Sequence, residues 1–435
     1  MVSARLSQLR LLRRVVFIFA LILWQGIRWF IGWLVLMAYF AGVERRRIWF
    51  GRCVLDLFRN LGMTFIKVGQ IMSSRPDLVP DHICQALVHL QDNVGPFSFE
   101  HVERTIREDF GRPLEDIFSE FSRTPVASAS VAQVHKARLH DGNLVAVKVR
   151  RPDAQEICRF DLAAMALAAK ILAKIPVFAL ASPELAVEQF GKAIAAQLDF
   201  RVEAANNLRF RKNFQDVPDV EFPTVFTQLS SERVLCMSHI EGTKILHARR
   251  GNYDTKKLAR LGLSTLMKMI FEDGFVHADL HPGNIFVLPE NRLALLDLGL
   301  VGELDLQHKE AFTMFFRAWA EHDADKIADV LYTLALNPSR DTDVFSSFKS
   351  AIQDFMARYW GQKMSDLSTG KLLLELLGLL RKHNVRMAPS FTIVNIAIAV
   401  TEGIGKQLDP ELDLMTEAIP YFLSHPPHPV CSSMP

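Results

Sequence analysis

Residues 275–287, FVHADLHPGNIFV, set two histidines, an aspartate and an asparagine between two apolar runs. Asp279 and Asn284 stand five apart, in a loop expected to follow a helix and precede a β-hairpin. That hairpin is read over 285–297, IFVLPENRLALLD, with its turn at PEN, and its far end delivers Asp297. Two carboxylates and one amide at the ends of a hairpin can converge on a small volume. Hard oxygen donors with no thiolate suit magnesium (Mg2+), which keeps waters and takes further ligands from nucleotide phosphates.

Upstream, 131–150 reads as another hairpin: VAQVHKARL alternates, HDGN turns, and LVAVKVR alternates again. Lys148 lies on its second strand with apolar neighbours on both sides. A buried ammonium must be paired, and Glu203 in the helical stretch QLDFRVEAANNL is the natural partner. A strand lysine paired to a helix glutamate, then H-x-D-x-x-x-x-N, then D-x-G, is the order of parts in protein kinases. Here the set is Lys148, Glu203, His277, Asp279, Asn284, Asp297 and Gly299. Each fragment alone is a weak signal, but the full order is specific.

On that layout Lys148 takes the α/β-phosphates of ATP and Glu203 holds Lys148 in place. Asn284 and Asp297 hold Mg2+, and Asp279 orients or deprotonates the nucleophile. MSHIEG, residues 237–242, is the expected hinge, where Met237 and His239 receive adenine. The loop before the lysine strand, PVASASVAQVH, carries Ala127, Ser128, Ala129, Ser130 and Val131 but no glycine. Side chains narrow its backbone freedom, so it should be stiff, with Ser128 and Ser130 offering donors near the phosphates. Other chemistries fit less well. A transition metal on His277, Asp279 and His281 leaves Lys148, Asn284 and Asp297 without a role. A serine-hydrolase elbow is excluded, since no G-x-S-x-G occurs.

These residues need a scaffold of two kinds. Strand signals cluster before residue 150, at 232–242 and at 285–297. Helices fill 51–74, a stretch up to about 110, 153–213 with breaks near Pro176 and Pro183, 255–273, and 305–423. SSRPDLVPDHI interrupts the pattern at Pro76 and Pro80, and the tail HPPHPVCSSMP looks disordered. The fold expected is α+β and two-lobed, protein-kinase-like, with a β-rich N-lobe, a helical C-lobe and an N-terminal helical extension. The segments are 1–50, 51–123, 124–242, 243–423 and 424–435. A net charge of +2 in 435 residues gives no reason to expect nucleic acid. Five scattered cysteines suit core filling in a reducing compartment, not a disulfide framework or a zinc site.

The N-terminus differs in kind. No Asp or Glu occurs before Glu44, and arginines flank the apolar run from Val15 to Phe40. Gln25 and Arg28 fall near its middle, where a charge is costly in a bilayer. An interfacial helix or shallow hairpin, a single span and a cleaved leader are the competing readings. Trp24, Trp29, Phe30, Trp33, Tyr39 and Phe40 suit the headgroup boundary, so the segment is expected to bind membrane.

FIKVGQIMSSRPDLVP (65–80), the loop PVASASVAQVH, LDFRVEAANN and HADLHPGN together resemble the UbiB/ADCK family of atypical kinase-like ATPases, over about residues 55–423. The resemblance implies that the extension carries a K-x-G-Q motif, here Lys67, Gly69 and Gln70, packed over the active site. It also implies an alanine-rich loop that disfavours phosphotransfer to protein, and lipid-stimulated ATP hydrolysis supporting ubiquinone or other isoprenoid-lipid metabolism at membranes. The implied partners are a membrane lipid or isoprenoid-quinone precursor and quinone-biosynthesis enzymes. The implied place is the cytoplasmic face of a bacterial inner membrane. Two departures stand out. The family's E-x-D reads QLD here, so Asp199 alone should face Lys67 from the same helix face as Glu203. The paired apolar spans that end many bacterial members are not seen before Pro435, which puts membrane contact at the N-terminus. A small-molecule or lipid kinase, and a nucleotide-switched scaffold, are the alternatives to an ATPase.

Overall fold

The computed structural model describes residues 2–38, 42–73, 79–90, 95–174, 183–336, 342–359, 369–412 and Glu417. The chain divides into two packed units, residues 1–205 with 224–239, and residues 206–223 with 240–435. Residues 206–223, read with the small lobe in the sequence, belong to the second.

In the first unit, α1 (Val2–Ala38) is one unbroken helix, so the hairpin reading of residues 15–40 does not hold. It is followed by α2 (Val43–Leu61), α3 (Met63–Ser73), α4 (Asp81–Leu87) and α5 (Phe99–Phe110). Gly62, at φ +97°, turns the chain between α2 and α3 in a conformation that suits glycine. An antiparallel sheet then forms from β1 (Phe118–Phe121), β2 (Ala127–Ser128), β3 (Ala132–Leu139), β4 (Leu144–Arg150) and β6 (Val234–Ser238). Its order is β1-β3-β4-β6, with β2 pairing β3. Alternation along β4 sends Val145, Val147 and Val149 into a core shared with Val102 and Ile106 of α5, and so turns Lys148 to the opposite face.

Among the described residues, the helical region after β4 gives α6 (Ala154–Leu172), α7 (Pro183–Leu198) and α8 (Phe200–Asn213). Pro183 opens α7, and Pro76, Pro176 and the tail lie outside the described residues. The break at Asp199, between α7 and α8, is not signalled by any Gly or Pro in the sequence.

In the second unit, β9 (Ile285–Leu288) and β10 (Arg292–Leu295) make the expected hairpin. Short β5 (Val220–Glu221) and β7 (Thr243–Lys244) complete a four-stranded sheet in the order β5-β10-β9-β7. β8 (Phe275–His277) pairs antiparallel with β11 (Val301–Glu303). α9 (Thr255–Met267) is capped by Asp254, whose carboxylate accepts the Lys257 N–H at 3.0 Å. It runs on as a π-helical turn, Lys268–Asp273, ended by Gly274 at φ +59°. The further helices among the described residues are α10 (Leu306–Ala320), α11 (Ala324–Thr333), α12 (Thr342–Tyr359), α13 (Thr369–Lys382) and α14 (Pro389–Leu408). Aspartates again cap α10 (Asp305) and α11 (Asp323). Phe312, Phe348, Phe355 and Phe391 fill this core with essentially no exposure.

Candidate functional site

The first unit holds the lysine. Lys148 Nζ donates to Glu203 Oε2 at 2.8 Å and Oε1 at 3.1 Å. The two side chains are only 12% and 6% exposed, and the ammonium also stands 5.3 Å over the Phe200 ring. Lys148 is pinned in register between Val134 on β3 and Leu235 on β6. Both charges are thus desolvated and paired, which fixes an ammonium with little freedom to move.

The K-x-G-Q helix joins this neighbourhood through its second residue. Val68 is buried in a cluster with Val131, Phe200 and Ala204, the last beside Glu203. Lys67 and Gln70 flank it, half-buried, and Gln70 Nε2 donates to the Leu90 carbonyl at 3.2 Å. Gly69 is required by space, since a Cβ there would stand 2.2 Å from Leu90 Cδ1 and 2.7 Å from Phe58 Cδ1.

Asp199 does not play its expected part. It sits at the α7–α8 break, where its carboxylate accepts the Arg201 backbone N–H at 3.0 Å and the guanidinium at 2.7–3.2 Å. That guanidinium holds the carboxyl below the usual carboxylate range. Asp199 is therefore a helix-start residue engaged by a local arginine, not a face-mate of Glu203 turned to Lys67.

The alanine-rich loop is stiffer than its composition alone requires. Arg151, three residues beyond Lys148, donates from Nη2 to Ser128 Oγ at 3.1 Å, the Ala129 carbonyl at 3.1 Å and the Gly95 carbonyl at 2.9 Å. Its guanidinium also lies 5.2 Å from the Phe97 ring centroid. Sequence reasoning missed this clamp; the only signal was an arginine just past the lysine strand. Ser130 is fully buried, with no hydrogen-bond partner for Oγ among the described residues, and Val131 is core. Of the two loop serines, only Ser128 keeps a partly exposed side chain; Ala127 is exposed and Ala129 half-exposed. Met237 pairs across the sheet with Ala146, and the His239 N–H donates to the Leu144 carbonyl at 3.0 Å. The chain leaves the first unit directly after His239.

The second unit holds the oxygen donors on two loops bonded to each other. The Leu296 N–H donates to the Asn284 carbonyl at 2.9 Å, and the Ala278 N–H to the Leu300 carbonyl at 3.1 Å. His277, wholly buried, accepts the Asp279 N–H on Nδ1 at 3.2 Å and faces the Leu296 carbonyl from Nε2 at 3.1 Å. Burial pushes its pKa down, while the charges of Asp279 and Asp297 pull the other way, so both carboxylates lie within reach of this ring. The Asn284 amide nitrogen donates to the Asp279 carbonyl at 3.2 Å, which leaves Oδ1 as the atom for a cation. Asp297 is exposed and adopts φ +56°, a left-handed conformation that Asp tolerates better than most residues. Asn206 Nδ2 steadies the next residue by donating to the Leu298 carbonyl at 2.8 Å.

His277 is not a metal ligand in this arrangement, and His281 has one ring nitrogen engaged. Both ring nitrogens of His277 face backbone groups, and His281 Nδ1 accepts the Gly283 N–H at 3.0 Å. The donor set of Asn284 Oδ1 and the Asp297 carboxylate fits a hard cation such as magnesium.

A strand lysine fixed by a helix glutamate, with an H-x-D loop bonded to a D-x-G loop, defines a protein-kinase-like fold. The model of the ABC1 atypical kinase-like domain matches residues 89–331, and that of the UbiB helical domain residues 352–413. The probable protein kinase UbiB of Aeromonas hydrophila is 36% identical over 374 residues, 84% of this chain and 68% of that protein. Its counterpart in Vibrio parahaemolyticus is 37% identical over 375 residues, with the same coverage. The solved structure of the Rv3197–erythromycin complex from Mycobacterium tuberculosis is similar with a TM-score of 0.56 and 26% identity, covering 80% of this chain and 90% of that one. The chain belongs to the UbiB family of ABC1 atypical kinase-like proteins.

Proposed function

We propose that this protein is a membrane-associated ATPase that binds Mg-ATP and supports ubiquinone or related isoprenoid-lipid biosynthesis. The observation that carries the reading is the hydrogen-bonded pair of loops presenting Asn284 Oδ1, Asp279 and Asp297 around a neutral His277. Bound magnesium would neutralise phosphate charge as it develops. The side chains have separate tasks. Asn284 and Asp297 hold the cation, Lys148 takes the α/β-phosphates, and Glu203 holds Lys148 in place. Asp279 orients or deprotonates the attacking water, while Met237 and His239 border the adenine. Lys67 and Gln70 approach from α3.

Membrane association is supported by α1. Leu12–Val35 is long and apolar enough to cross a bilayer, and Phe19, Trp24, Phe30 and Trp33 are exposed on it. The UbiB family of the relatives supports the quinone-biosynthesis reading, and their bacterial origin is consistent with our placing the protein at a bacterial inner membrane with the catalytic units on the cytoplasmic side.

The test is turnover of γ-labelled ATP by the full chain on vesicles, with magnesium or EDTA, beside Asp297→Asn. Label released as free phosphate, and lost in EDTA or in the variant, supports the ATPase reading. Asp279 would serve an acceptor hydroxyl as well as water, so label on a lipid or small molecule would establish the kinase alternative. Normal turnover by Asp297→Asn would end the assignment.

A further inference from the structure

α1 and α6 run side by side in the same direction. Arg10 Nη1 meets Glu156 at 2.9 Å and Arg14 Nε meets Asp161 at 2.6 Å, after which Ile18 and Leu21 pack with Ala164 and Met165. Beyond Met165, α6 continues for about two turns, roughly 10 Å, beside the start of the exposed apolar band of α1. Leu167 and Ile171, one turn apart, are 56% and 59% exposed there. Leu185, early in α7, is 50% exposed, and α7 packs on α6. Apolar side chains clustered in this way usually mark a surface that is covered in use.

Charge says what covers it. No Asp or Glu occurs between residues 162 and 183, or before Glu44, in a chain that carries 48. Lys170 and Lys174 are exposed on the same end of α6. On the end of α6, Leu167 and Ile171 with Lys170 and Lys174 among them and no carboxylate beyond Asp161 suit an anionic lipid surface, where lysine stems lie along acyl chains and ammonium groups meet lipid phosphates, whereas α7 opens on the exposed Glu184 beside Leu185. We propose that the last two turns of α6 form a second membrane-contacting element. It enters the interfacial layer of an anionic bilayer beside α1 and fixes the orientation of the first unit on the lipid. The inference rests on the reading that α1 binds membrane.

The experiment uses the full chain with Cys431→Ser, in which the described cysteines are all buried. A polarity-sensitive fluorophore is placed on Leu167→Cys, Ile171→Cys or, as a control, Lys192→Cys, which lies far along α7 and is exposed. Vesicles are phosphatidylcholine alone or mixed with phosphatidylglycerol. Blue-shifted emission, quenched by brominated acyl chains, is expected at 167 and 171 and not at 192. Lys170→Glu with Lys174→Glu should weaken binding to the anionic vesicles by about thirty-fold or more and leave binding to neutral ones unchanged. If the chain sediments with vesicles but labels at 167 and 171 stay unshifted, α6 remains in water and the inference fails while the α1 reading stands. A shift without vesicles that grows with protein concentration overturns it in favour of self-association. If the chain does not sediment with vesicles at all, the α1 reading falls with it, and ATP turnover is still measured independently.

Discussion

His277 and Leu296 are joined across the two loops that carry Asp279 and Asp297, imidazole Nε2 to main-chain carbonyl at 3.1 Å. Because Nδ1 must accept the Asp279 N–H, the ring proton sits on Nε2 and the histidine is neutral. Its pKa is depressed by burial, so the unfolded chain binds a proton more readily than the folded one. Stability from this group is fully present above the unfolded value of about 6.5 and is lost as pH falls toward the lower folded value. Chemical denaturation between pH 5 and 7.5, in the range set by about 6.5, should show this loss in the wild type. His277→Gln should flatten it; a wild-type profile with no acid limb would refute the neutral-histidine assignment.

Lys148 and Glu203 should be more costly to remove singly than together. A buried ion pair that loses one partner typically destabilises by about 3–5 kcal/mol, because the other charge is left unpaired. Lys148→Met and Glu203→Leu are each expected in that range. The double variant should recover most of the stability and none of the ATP turnover. Equal and additive losses in a denaturant cycle would show that the pair is not coupled.

At Asp297 the side chain and the backbone can be tested apart. Asp297→Asn tolerates φ +56° and should keep its melting temperature, yet lose magnesium-dependent turnover by about a hundred-fold or more. Asp297→Val should lose both, since a β-branched residue in that conformation is strained by about 1–3 kcal/mol. A melting temperature for Asp297→Val equal to that of Asp297→Asn would rule out the strain.

Gly69 offers a packing test of the K-x-G-Q helix. Gly69→Ala pushes a methyl into Leu90 and Phe58 and should cost about 1–3 kcal/mol, with faster amide exchange along α3. Gly378→Ala, with nothing within 4 Å of the new Cβ, should instead raise stability by about 0.5–1 kcal/mol. The two substitutions differ only in what the methyl meets.

The placement of Lys148 and of the hairpin between Asn284 and Asp297 was legible because it rests on local pattern. Alternation placed Lys148 on a strand, and turn residues placed the hairpin between Asn284 and Asp297. Strands such as β5, β7, β8 and β11 were not legible, since two or three residues cannot display a period of two. Asp199 misled because a helix can break without Gly or Pro when an aspartate takes over the first N–H groups of the next one. Arg151 escaped notice because its partners are distant in sequence: Ser128 and Ala129 across the β3–β4 hairpin, Gly95 and Phe97 further still. Long-range polar contacts of this kind leave no periodic trace. The four buried cysteines were read correctly as filler, and burial pushes the Cys53, Cys158 and Cys236 thiols up to about 11, 11 and 12.

The Arg14 guanidinium grips the wholly buried Asp161 carboxylate with two nitrogens and also reaches the Leu61 carbonyl at the end of α2. The amino-terminal helix is therefore a structural member of the first unit, whatever its contact with a membrane. Shortened versions that begin after it, the usual route to a detergent-free enzyme, would strand a negative charge in the interior and unroof Leu61 and Phe65 beside the K-x-G-Q helix. Inactivity in such a preparation would report a damaged scaffold rather than a missing bilayer. A soluble form that retains Arg14 and replaces only the outward-facing apolar residues separates the two.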